Sequence, residues 1–337
     1  MMRTLTKTLW ISLFILSTLS AAGQLRFIVQ NGARSELYGT FNGAFSALQQ
    51  GDTLYLPGGS FNIGEVVLSK KITMIGTGHY PAYTQASGRT EMTGGISLTE
   101  GADSSLLQGF FLTGEIRLGT SPLSSHVTNV VISRINCQNI KLGYNSDLSL
   151  AEQIYISECV VRGTIYGNRA QNVLIQGNIV YDIENFNNNT LISNNILLIP
   201  NGYTFDNIHS CIIQNNVFVQ TGPYLFYECS ANTIRNNLFV NTYSAGTDNI
   251  DQQPLASIFM NYPGGAFNYE QDFHLQESSP GKNAGTDGTD IGIYGTDTPY
   301  KEGAVPFNPH VSSENIATKT NTEGKLNVKV TVEAQNR

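Results

Sequence analysis

This chain carries little charge, and it has almost no tryptophan. Only 13% of its 337 residues are Asp, Glu, Lys or Arg, and the 26 acidic residues outnumber the 19 basic ones. Binding to nucleic acid or to an anionic membrane needs clustered Lys and Arg, so this balance argues against both partners. The one tryptophan is Trp10, so the chain beyond its N-terminus has no indole ring to stack on a ligand.

Long apolar runs are also scarce. The main one, residues 9–19, follows the basic residues Arg3 and Lys7 and precedes the small residues 20–22. A basic region, a short apolar stretch and a small-residue cleavage site are the three parts of a secretory signal peptide. The stretch is too short to span a membrane comfortably, and no other run approaches about 18 apolar residues. We therefore expect residues 1–22 to be removed and the mature chain, without a membrane span, to be secreted, periplasmic or on the cell surface.

Cysteine is rare, and the common catalytic motifs are missing. Four cysteines in an exported protein allow two disulfides, but buried free thiols are the alternative, because cysteine is readily buried. They are Cys137, Cys159, Cys211 and Cys229. No GxSxG, HExxH or CxxC motif occurs, and no two histidines have the spacing of metal ligands. The sequence thus identifies no serine-hydrolase, zinc-protease or dithiol site.

Four consecutive segments repeat one short phrase. Each contains an apolar pair, two variable residues, an asparagine and further apolar residues, as in NVLIQGNIV at 172–180. The other three are NTLISNNIL at 189–197, SCIIQNNVF at 210–218 and NTIRNNLFV at 232–240. The asparagines that recur in these phrases are Asn178, Asn195, Asn216 and Asn237. A period near 20 with short β-branched runs predicts a solenoid in which each repeat is one stacked unit.

The repeated asparagines are predicted to form an internal, structural ladder. Asparagine tolerates the left-handed backbone of a sharp turn, and stacked side-chain amides can donate to the carbonyl groups of their counterparts in the next coil. Cys159 takes the same place one coil earlier, three residues after Ile156. Earlier coils are longer and less regular, and roughly eight coils spaced by about 4.8 Å would make a rod of about 40 Å.

The two ends of the chain do not repeat. Residues 23–50 contain an amphipathic helical pattern and are predicted to form an N-terminal cap on the first coil of the solenoid, which spans residues 51–295. The apolar positions of that helix are Phe41, Ala44, Phe45 and Leu48. Residues 296–337 are predicted to form a Pro-rich linker and a single amphipathic strand. The apolar positions of that strand are Leu326, Val328, Val330 and Val332. One strand is unstable alone, so it should pair with the rod or with a partner.

The asparagine phrases, together with DTLYLPGGSF at 52–61 and KITMIGTGH at 71–79, resemble the pectate-lyase-like right-handed parallel β-helix superfamily. They are most similar to its secreted bacterial members that are described only as β-helix repeat proteins. The segment FHLQESSPGKNAGTDGTDIGIYG at 273–295 resembles the closing motif of such proteins. The resemblance implies an all-β fold, a single-stranded right-handed parallel β-helix of about eight or more coils. It concerns the scaffold, and one scaffold serves many functions.

For members that cleave acidic polysaccharides, the resemblance implies a site on the outer face of one parallel sheet. Acidic side chains there hold Ca²⁺ or act as acid and base, and an Arg or Lys removes a proton beside a uronate. The acidic candidates of this chain, which are evenly spaced along it, are Glu184, Asp206 and Glu228. The candidate bases are Lys141 and Arg169, with Arg162 and Arg235 as further candidates.

Stacked carboxylates about 4.8 Å apart repel one another unless they are protonated, solvated or bridged by a cation. Ca²⁺ is therefore the one cofactor considered, and a solvated acidic face without any ligand is the alternative. Tyr166 and Tyr227 are expected to point outward if Ile165 and Phe226 face inward, and they could then offer a shallow glycan-binding strip.

The sequence is compatible with two functions, and only one of them makes the chain an enzyme. The first is a non-catalytic scaffold, secreted or on the cell surface, that presents a face to an extracellular glycan or a surface protein. The alternative is a polysaccharide lyase or glycoside hydrolase that acts on an acidic polysaccharide. The regular late coils and the lack of a basic cluster favour the scaffold, whereas the longer early loops could wall a groove.

Overall fold

A computed structural model confirms the solenoid: the chain folds into an all-β parallel solenoid of about eight turns. The structure describes residues 25–119, 125–143, 150–168, 170–187, 189–199 and 202–334. The predicted signal peptide and Arg169 lie outside the described residues. Strands are numbered along the chain, and two large sheets contain most of them.

Sheet A has 11 strands among the described residues. In spatial order they are β2 (Arg34–Tyr38), β1 (Phe27–Asn31), β3 (Thr53–Tyr55), β5 (Thr73–Ile75), β7 (Leu106–Gln108), β11 (Val131–Ser133), β15 (Tyr155–Ser157), β17 (Leu174–Gln176), β19 (Leu191–Ser193), β22 (Ile212–Gln214) and β25 (Thr233–Arg235). The pairings of β1 with β2 and β3 are antiparallel, and all later neighbours are parallel.

Sheet B has 13 strands among the described residues, and all of its pairings are parallel. They are β4 (Gly59–Leu68), β6 (Thr90–Leu98), β8 (Phe111–Leu112), β9 (Ile116–Leu118), β12 (Asn136–Cys137), β13 (Ile140–Leu142), β16 (Val160–Tyr166), β18 (Ile179–Asn187), β20 (Ile196–Leu197), β21 (Phe205–His209), β23 (Val217–Phe218), β24 (Phe226–Tyr227) and β26 (Leu238–Phe239).

Smaller elements complete the architecture. Three two-stranded sheets join β10 (His126–Thr128) to β14 (Leu150–Glu152), β27 (Phe259–Asn261) to β28 (Asp272–Leu275), and β29 (His310–Thr320) to β30 (Leu326–Glu333). Short 3₁₀ helices lie at Pro81–Tyr83, Leu255–Ser257 and Glu302–Ala304, and helix α1 spans Phe41–Ala47.

Helix α1 lies within the residues for which a helix is predicted. It begins after Thr40, whose hydroxyl accepts a hydrogen bond from the Gly43 N–H at 3.2 Å, so that a free N–H of the first turn is satisfied. Its buried residues are Phe41 and Ala44, and the Phe41 ring packs edge-to-face on Phe27 of β1 at 6.0 Å. The apolar face of the helix therefore packs on the first strands of the chain.

Each late coil passes from sheet A to sheet B through a tight turn. The residue before each ladder asparagine has a positive φ, between 50° and 68°; these residues are Gly177, Asn194, Asn215 and Asn236. Glycine and asparagine adopt this left-handed backbone more readily than other residues. The left-handed position predicted for the ladder asparagines thus belongs to their predecessors, and the ladder positions require asparagine for its side-chain amide instead.

Branched and aromatic side chains fill the interior of the coils. One fully buried column on the inner side of sheet A consists of Ile132, Ile156, Ile175, Ile192 and Ile213. A matching column on sheet B consists of Ile116, Ile140, Ile165, Ile183 and Phe205. Because side chains alternate along a strand, the residues on either side of these columns point outward.

The C-terminal region differs from its prediction. Strand β30 occupies the predicted amphipathic stretch, but it is not a single strand, because it pairs antiparallel with β29. The alternating pattern does not reveal β29, since its sequence HVSSENIATKT is mostly polar. Pairing satisfies backbone N–H and C=O groups that one strand would leave without partners.

Candidate functional site

The ladder asparagines form a continuous chain of buried hydrogen bonds. The Nδ2 of Asn178 donates to Oδ1 of Asn195 at 3.0 Å, and the same oxygen accepts the backbone N–H of Asn178 at 2.9 Å. Asn195 donates to Asn216 in the same way, and Asn216 donates to Asn237. All four residues are fully buried. These bonds join neighbouring coils and leave no amide free for a ligand.

The ladder has one further member at each end. Both the N–H and the Nδ2 of Asn237 donate to Oδ1 of Asn249, at 2.9 and 3.1 Å. The repeat pattern does not reveal Asn249, because it follows Asn237 by only 12 residues. At the other end, the N–H of Cys159 donates to Oδ1 of Asn178 at 2.9 Å, so Cys159 occupies the ladder place inferred from its spacing.

Five of the side chains singled out from the sequence lie in one column on the outer side of sheet B. Strand pairing places Lys141 beside Tyr166, and Tyr166 beside Glu184. Asp206 follows Glu184, and Tyr227 follows Asp206, on β21 and β24. At about 4.8 Å per strand, the column is about 19 Å long. We call these five residues the outer strip.

Glu228 does not belong to the outer strip. Asp206 pairs with Tyr227, so the even spacing of the three acidic residues along the chain overshoots the end of β24 by one position. Glu228 lies in the turn that follows, with a φ of 48°, and its carboxylate accepts a hydrogen bond from the Tyr227 hydroxyl. The strip therefore contains two carboxylates rather than the three predicted from the spacing.

The two carboxylates of the outer strip are harder to ionise than usual. Burial, followed by the negative charges of Asp182 and Asp206, raises the pKa of Glu184 to about 7. Burial, followed by the charge of Glu228, raises the pKa of Asp206 as well. Near neutral pH Glu184 is therefore protonated for part of the time.

Asp182 is a third carboxyl group near this pair, and it lies on the same strand as Glu184. It lies two residues before Glu184 on β18 and is only 9% exposed, so burial raises its pKa. The side chain of Thr164 on the neighbouring strand hydrogen-bonds to it, while its Oδ1 has no hydrogen-bond partner among the described residues. The sequence signal for Asp182 is the two-residue spacing from Glu184, which places both side chains on one face of a strand.

Three tyrosines form a patch at the C-terminal end of the outer strip. The Tyr203 ring stacks on the ring of Tyr227, with centroids 4.4 Å apart, and Tyr224 meets Tyr203 edge-to-face at 5.3 Å. Tyr224 is 54% exposed and Tyr227 is 42% exposed. The patch therefore presents flat apolar faces with hydroxyl groups at their rims.

The candidate bases that the structure describes already have partners. The Nζ of Lys141 lies 3.0 Å from Oε1 of Glu115, on the side of the strip away from Glu184. Arg162 donates to a backbone carbonyl at 2.7 Å, and Arg235 donates to a glutamine side chain of sheet A at 2.9 Å. None of these three cations is therefore an unpaired base beside the carboxylates.

The four cysteines are free thiols, so neither of the two possible disulfides forms. Cys137, Cys159 and Cys211 are buried, and Cys229 is partly exposed. Burial raises the pKa of all four thiols, which keeps them protonated and poorly nucleophilic near neutral pH.

No group of three or more His, Cys, Asp or Glu side chains in the described part of the chain could hold a metal ion. Glu184, Asp206 and Glu228 therefore do not form such a group of ligands for Ca²⁺. In the same residues, no helix is long and apolar enough to cross a membrane.

A scan against models of protein families finds no match, and a search of curated proteins finds none either. Among the described residues, the outer strip is where five of the candidate side chains lie side by side.

Proposed function

We propose that this protein is a non-catalytic scaffold, secreted or on the cell surface, that binds an extracellular glycan along the outer strip. The observation that carries the proposal is the register of the strip. Tyr166, Glu184, Asp206 and Tyr227 occupy consecutive strands, with two carboxylates between two tyrosines. A surface protein that displays such a glycan is the corresponding macromolecular partner.

The side chains of the strip suit a sugar chain. Tyrosine rings pack on the apolar faces of pyranose rings, and carboxylates accept hydrogen bonds from sugar hydroxyls. Rigid strands hold these groups at intervals of about 4.8 Å, so little side-chain ordering is needed on binding. Because Glu184 and Asp206 would repel a uronate, we expect a neutral glycan.

Several finer features of the scaffold belong to the same proposal. We infer a right-handed, single-stranded β-helix of the pectate-lyase-like superfamily, supported by the parallel sheets and the asparagine ladder. Helix α1 would act as the N-terminal cap, since it packs its apolar face on the first strands. The division into residues 23–50, 51–295 and 296–337 also remains a prediction, as does export through residues 1–22.

Glycan binding can be tested by titration calorimetry against a panel of neutral, uronate-containing and sulfated oligosaccharides. Tyr227→Ala should weaken binding of the preferred neutral glycan about five- to tenfold, because one stacking face is lost. Leu37→Ala, at a side chain that is 68% exposed on β2, is the control and should bind as the wild type does. Unchanged affinity in Tyr227→Ala, or no binding of any neutral glycan, would reject the proposal.

A second function, glycoside hydrolysis, is favoured by one specific observation. Glu184 has its pKa raised to about 7, which suits a general acid, and Asp206 lies beside it on the next strand. The strand spacing of about 4.8 Å is close to the roughly 5–5.5 Å between the carboxyl groups of retaining glycosidases. Under this hypothesis Glu184 protonates the leaving oxygen of the glycosidic bond while Asp206 attacks the sugar as the nucleophile, and water then releases the sugar from Asp206. A lyase would need a free base beside the carboxylates. The described candidate bases already bind other groups, so no comparable observation favours a lyase.

Reducing-end release from the same panel separates the two functions. A hydrolase should lose at least about 100-fold in rate in both Glu184→Gln and Asp206→Asn, whereas a binding protein releases no product. Glu277→Gln is the matched control, because the Glu277 side chain is 96% exposed and far along the chain from the strip. Product that persists in both strip variants would contradict the assignment of Glu184 and Asp206.

A further inference from the structure

Sheet A carries a groove on its own outer side, separate from the outer strip of sheet B. The groove has a volume of about 650 Å³, which lies within the range of ligand-binding pockets. Its floor consists of side chains from β7, β11 and β15 and their flanking residues. Residues 298–308, which we call the strap, supply one wall. The groove therefore forms only because the C-terminal region returns to the solenoid.

The strap is held on sheet A by a buried arginine. Arg134 is fully buried and pairs with Glu158 at 3.1 Å, and its guanidinium lies 3.8 Å from the centroid of the Phe307 ring. Arg134 also donates to the carbonyl of Val305. Glu158 in turn accepts the backbone N–H of Lys301 at 2.8 Å. These contacts fix the wall of the groove, so the groove exists before any ligand enters.

The floor has an apolar row beside a polar row. Strand pairing aligns Leu106, Val131 and Tyr155 side by side across three strands. The adjacent row, which offers amide and hydroxyl groups, consists of Gln108, Ser133 and Ser157. These three side chains lie at the bottom of the groove and are only 5–6% exposed, and their amide and hydroxyl groups can both donate and accept hydrogen bonds.

The groove is positively charged in an otherwise acidic protein. Of its charged lining residues, Glu158 is neutralised by Arg134, whereas Lys71 and Lys301 have no ion-pair partner among the described residues. The groove therefore carries two uncompensated positive charges, while the chain has a formal net charge of −7. An anionic partner would gain from both lysines.

The two lysines lie at opposite ends of the groove. Lys71 precedes β5 by two residues, and Lys301 bonds to Glu158 immediately after β15. They are thus three strand spacings apart across the sheet and five residues apart along it, a diagonal of about 22 Å. The first and last Cα atoms of seven extended residues are about 20 Å apart, at about 3.4 Å per residue, so their side chains can reach both lysines.

We propose that this groove binds an extended segment of a partner protein that carries acidic side chains at both ends of an apolar stretch. In such a segment, residues 1, 3, 5 and 7 face the sheet, so acidic residues at 1 and 7 meet the lysines, and residues 3 and 5 lie over the floor where the segment crosses from the apolar row towards the polar row. The strap itself shows a chain segment held against this face of the sheet. A fatty acid would leave the polar row without partners and would use only one lysine.

Fluorescence anisotropy with the full chain tests this assignment. The probe is the labelled, blocked heptapeptide Glu-Thr-Val-Thr-Val-Thr-Glu, and the same peptide with glutamine at both ends is the reference. We expect the acidic peptide to bind and to weaken as ionic strength rises from about 0.05 M to about 0.5 M. Lys71→Gln and Lys301→Gln should each weaken binding about three- to fivefold, and the double variant at least about tenfold.

Controls separate a specific site from general attraction of opposite charges. Lys325→Gln removes an exposed charge next to β30 and should not change the affinity. A peptide of equal composition with both glutamates adjacent should bind at least about fivefold more weakly, because it reaches only one lysine. The double charge reversal Lys71→Glu with Lys301→Glu should bind the peptide with lysine at both ends instead.

Three outcomes would overturn the proposal. One is equal binding of the acidic and glutamine peptides, and another is a full affinity for the acidic peptide in the double glutamine variant. The third is lysine-dependent binding of a uronate oligosaccharide without binding of the peptide, which would make the groove a sugar site. None of these outcomes bears on the outer strip, so this proposal and the proposed function can fail independently.

Discussion

Replacing Asn195 with leucine tests whether the ladder stabilises the solenoid. The Oδ1 of Asn195 accepts the N–H and the Nδ2 of Asn178, at 2.9 and 3.0 Å. Its own Nδ2 donates to the carbonyl of Ile175 and to Oδ1 of Asn216, both at 2.9 Å. Leucine removes all four hydrogen bonds at a fully buried position. Two donors of Asn178 then lose their acceptor in a place that water does not reach.

The size of the effect follows from those two donors. A buried polar group without a partner costs about 1–3 kcal/mol, so Asn195→Leu should lower the free energy of unfolding by about 2–6 kcal/mol. Domains of ordinary size have a free energy of unfolding of roughly 5–15 kcal/mol, so this loss is a large fraction of the total. The backbone N–H of Asn178 should also exchange faster with solvent, because its hydrogen bond is gone.

Guanidinium unfolding followed by far-UV circular dichroism measures the loss, and native-state hydrogen exchange locates it. Asn327→Leu is the matched control, because Asn327 is an exposed residue on β30. We expect the control to stay within about 0.5 kcal/mol of the wild type. If Asn195→Leu also stayed within that margin, the ladder bonds would contribute nothing to stability and the reasoning would be refuted.

Two further predictions concern charge. Because the folded state raises the pKa of Glu184 to about 7, the neutral carboxyl stabilises the fold fully below its ordinary pKa, and this stabilisation is lost as the pH rises through about 7. Glu184→Gln should therefore flatten the dependence of unfolding free energy on pH between about 4.5 and 7, and an unchanged slope in chemical denaturation would contradict the raised pKa. Arg134→Met leaves Glu158 without its buried partner and should destabilise the protein by about 3–5 kcal/mol while exposing the strap to proteases. Limited proteolysis with mass spectrometry should then find new cleavage within residues 298–308, and a strap that stays protected would contradict the anchoring role of Arg134.

The inside of the coils could be predicted from the sequence in some detail. Every coil repeats the same local structure of a short strand, a tight turn and a second strand. The sequence therefore repeats the same residue types with a period near 20. The isoleucine before each ladder asparagine and the asparagine itself recur because their neighbours in the next coil are copies of themselves. The repeat pattern did not predict Asn249 as a ladder residue, because its coil is shorter than the others.

The outer strip could be predicted only in part. Alternation along a strand places Tyr166, Glu184 and Tyr227 on the outside once the buried residues are known. Which of them stand side by side depends on register, and register changes with each loop length. The step from Asp206 to its neighbour is one position shorter than the step from Glu184 to Asp206, which brings Tyr227 into the strip and leaves Glu228 in the turn.

The sequence by itself thus determined the solenoid, its period and its polar ladder, because these depend on contacts between equivalent positions of successive repeats. Only the tertiary structure decided the pairing of β29 with β30, the raised pKa values of Glu184 and Asp206, and the groove of sheet A. Arg134 donates a hydrogen bond to a strap residue 171 positions later, and no local sequence pattern predicts a contact over that distance. Burial and charge at such places come from chain segments that meet only after the coils have stacked.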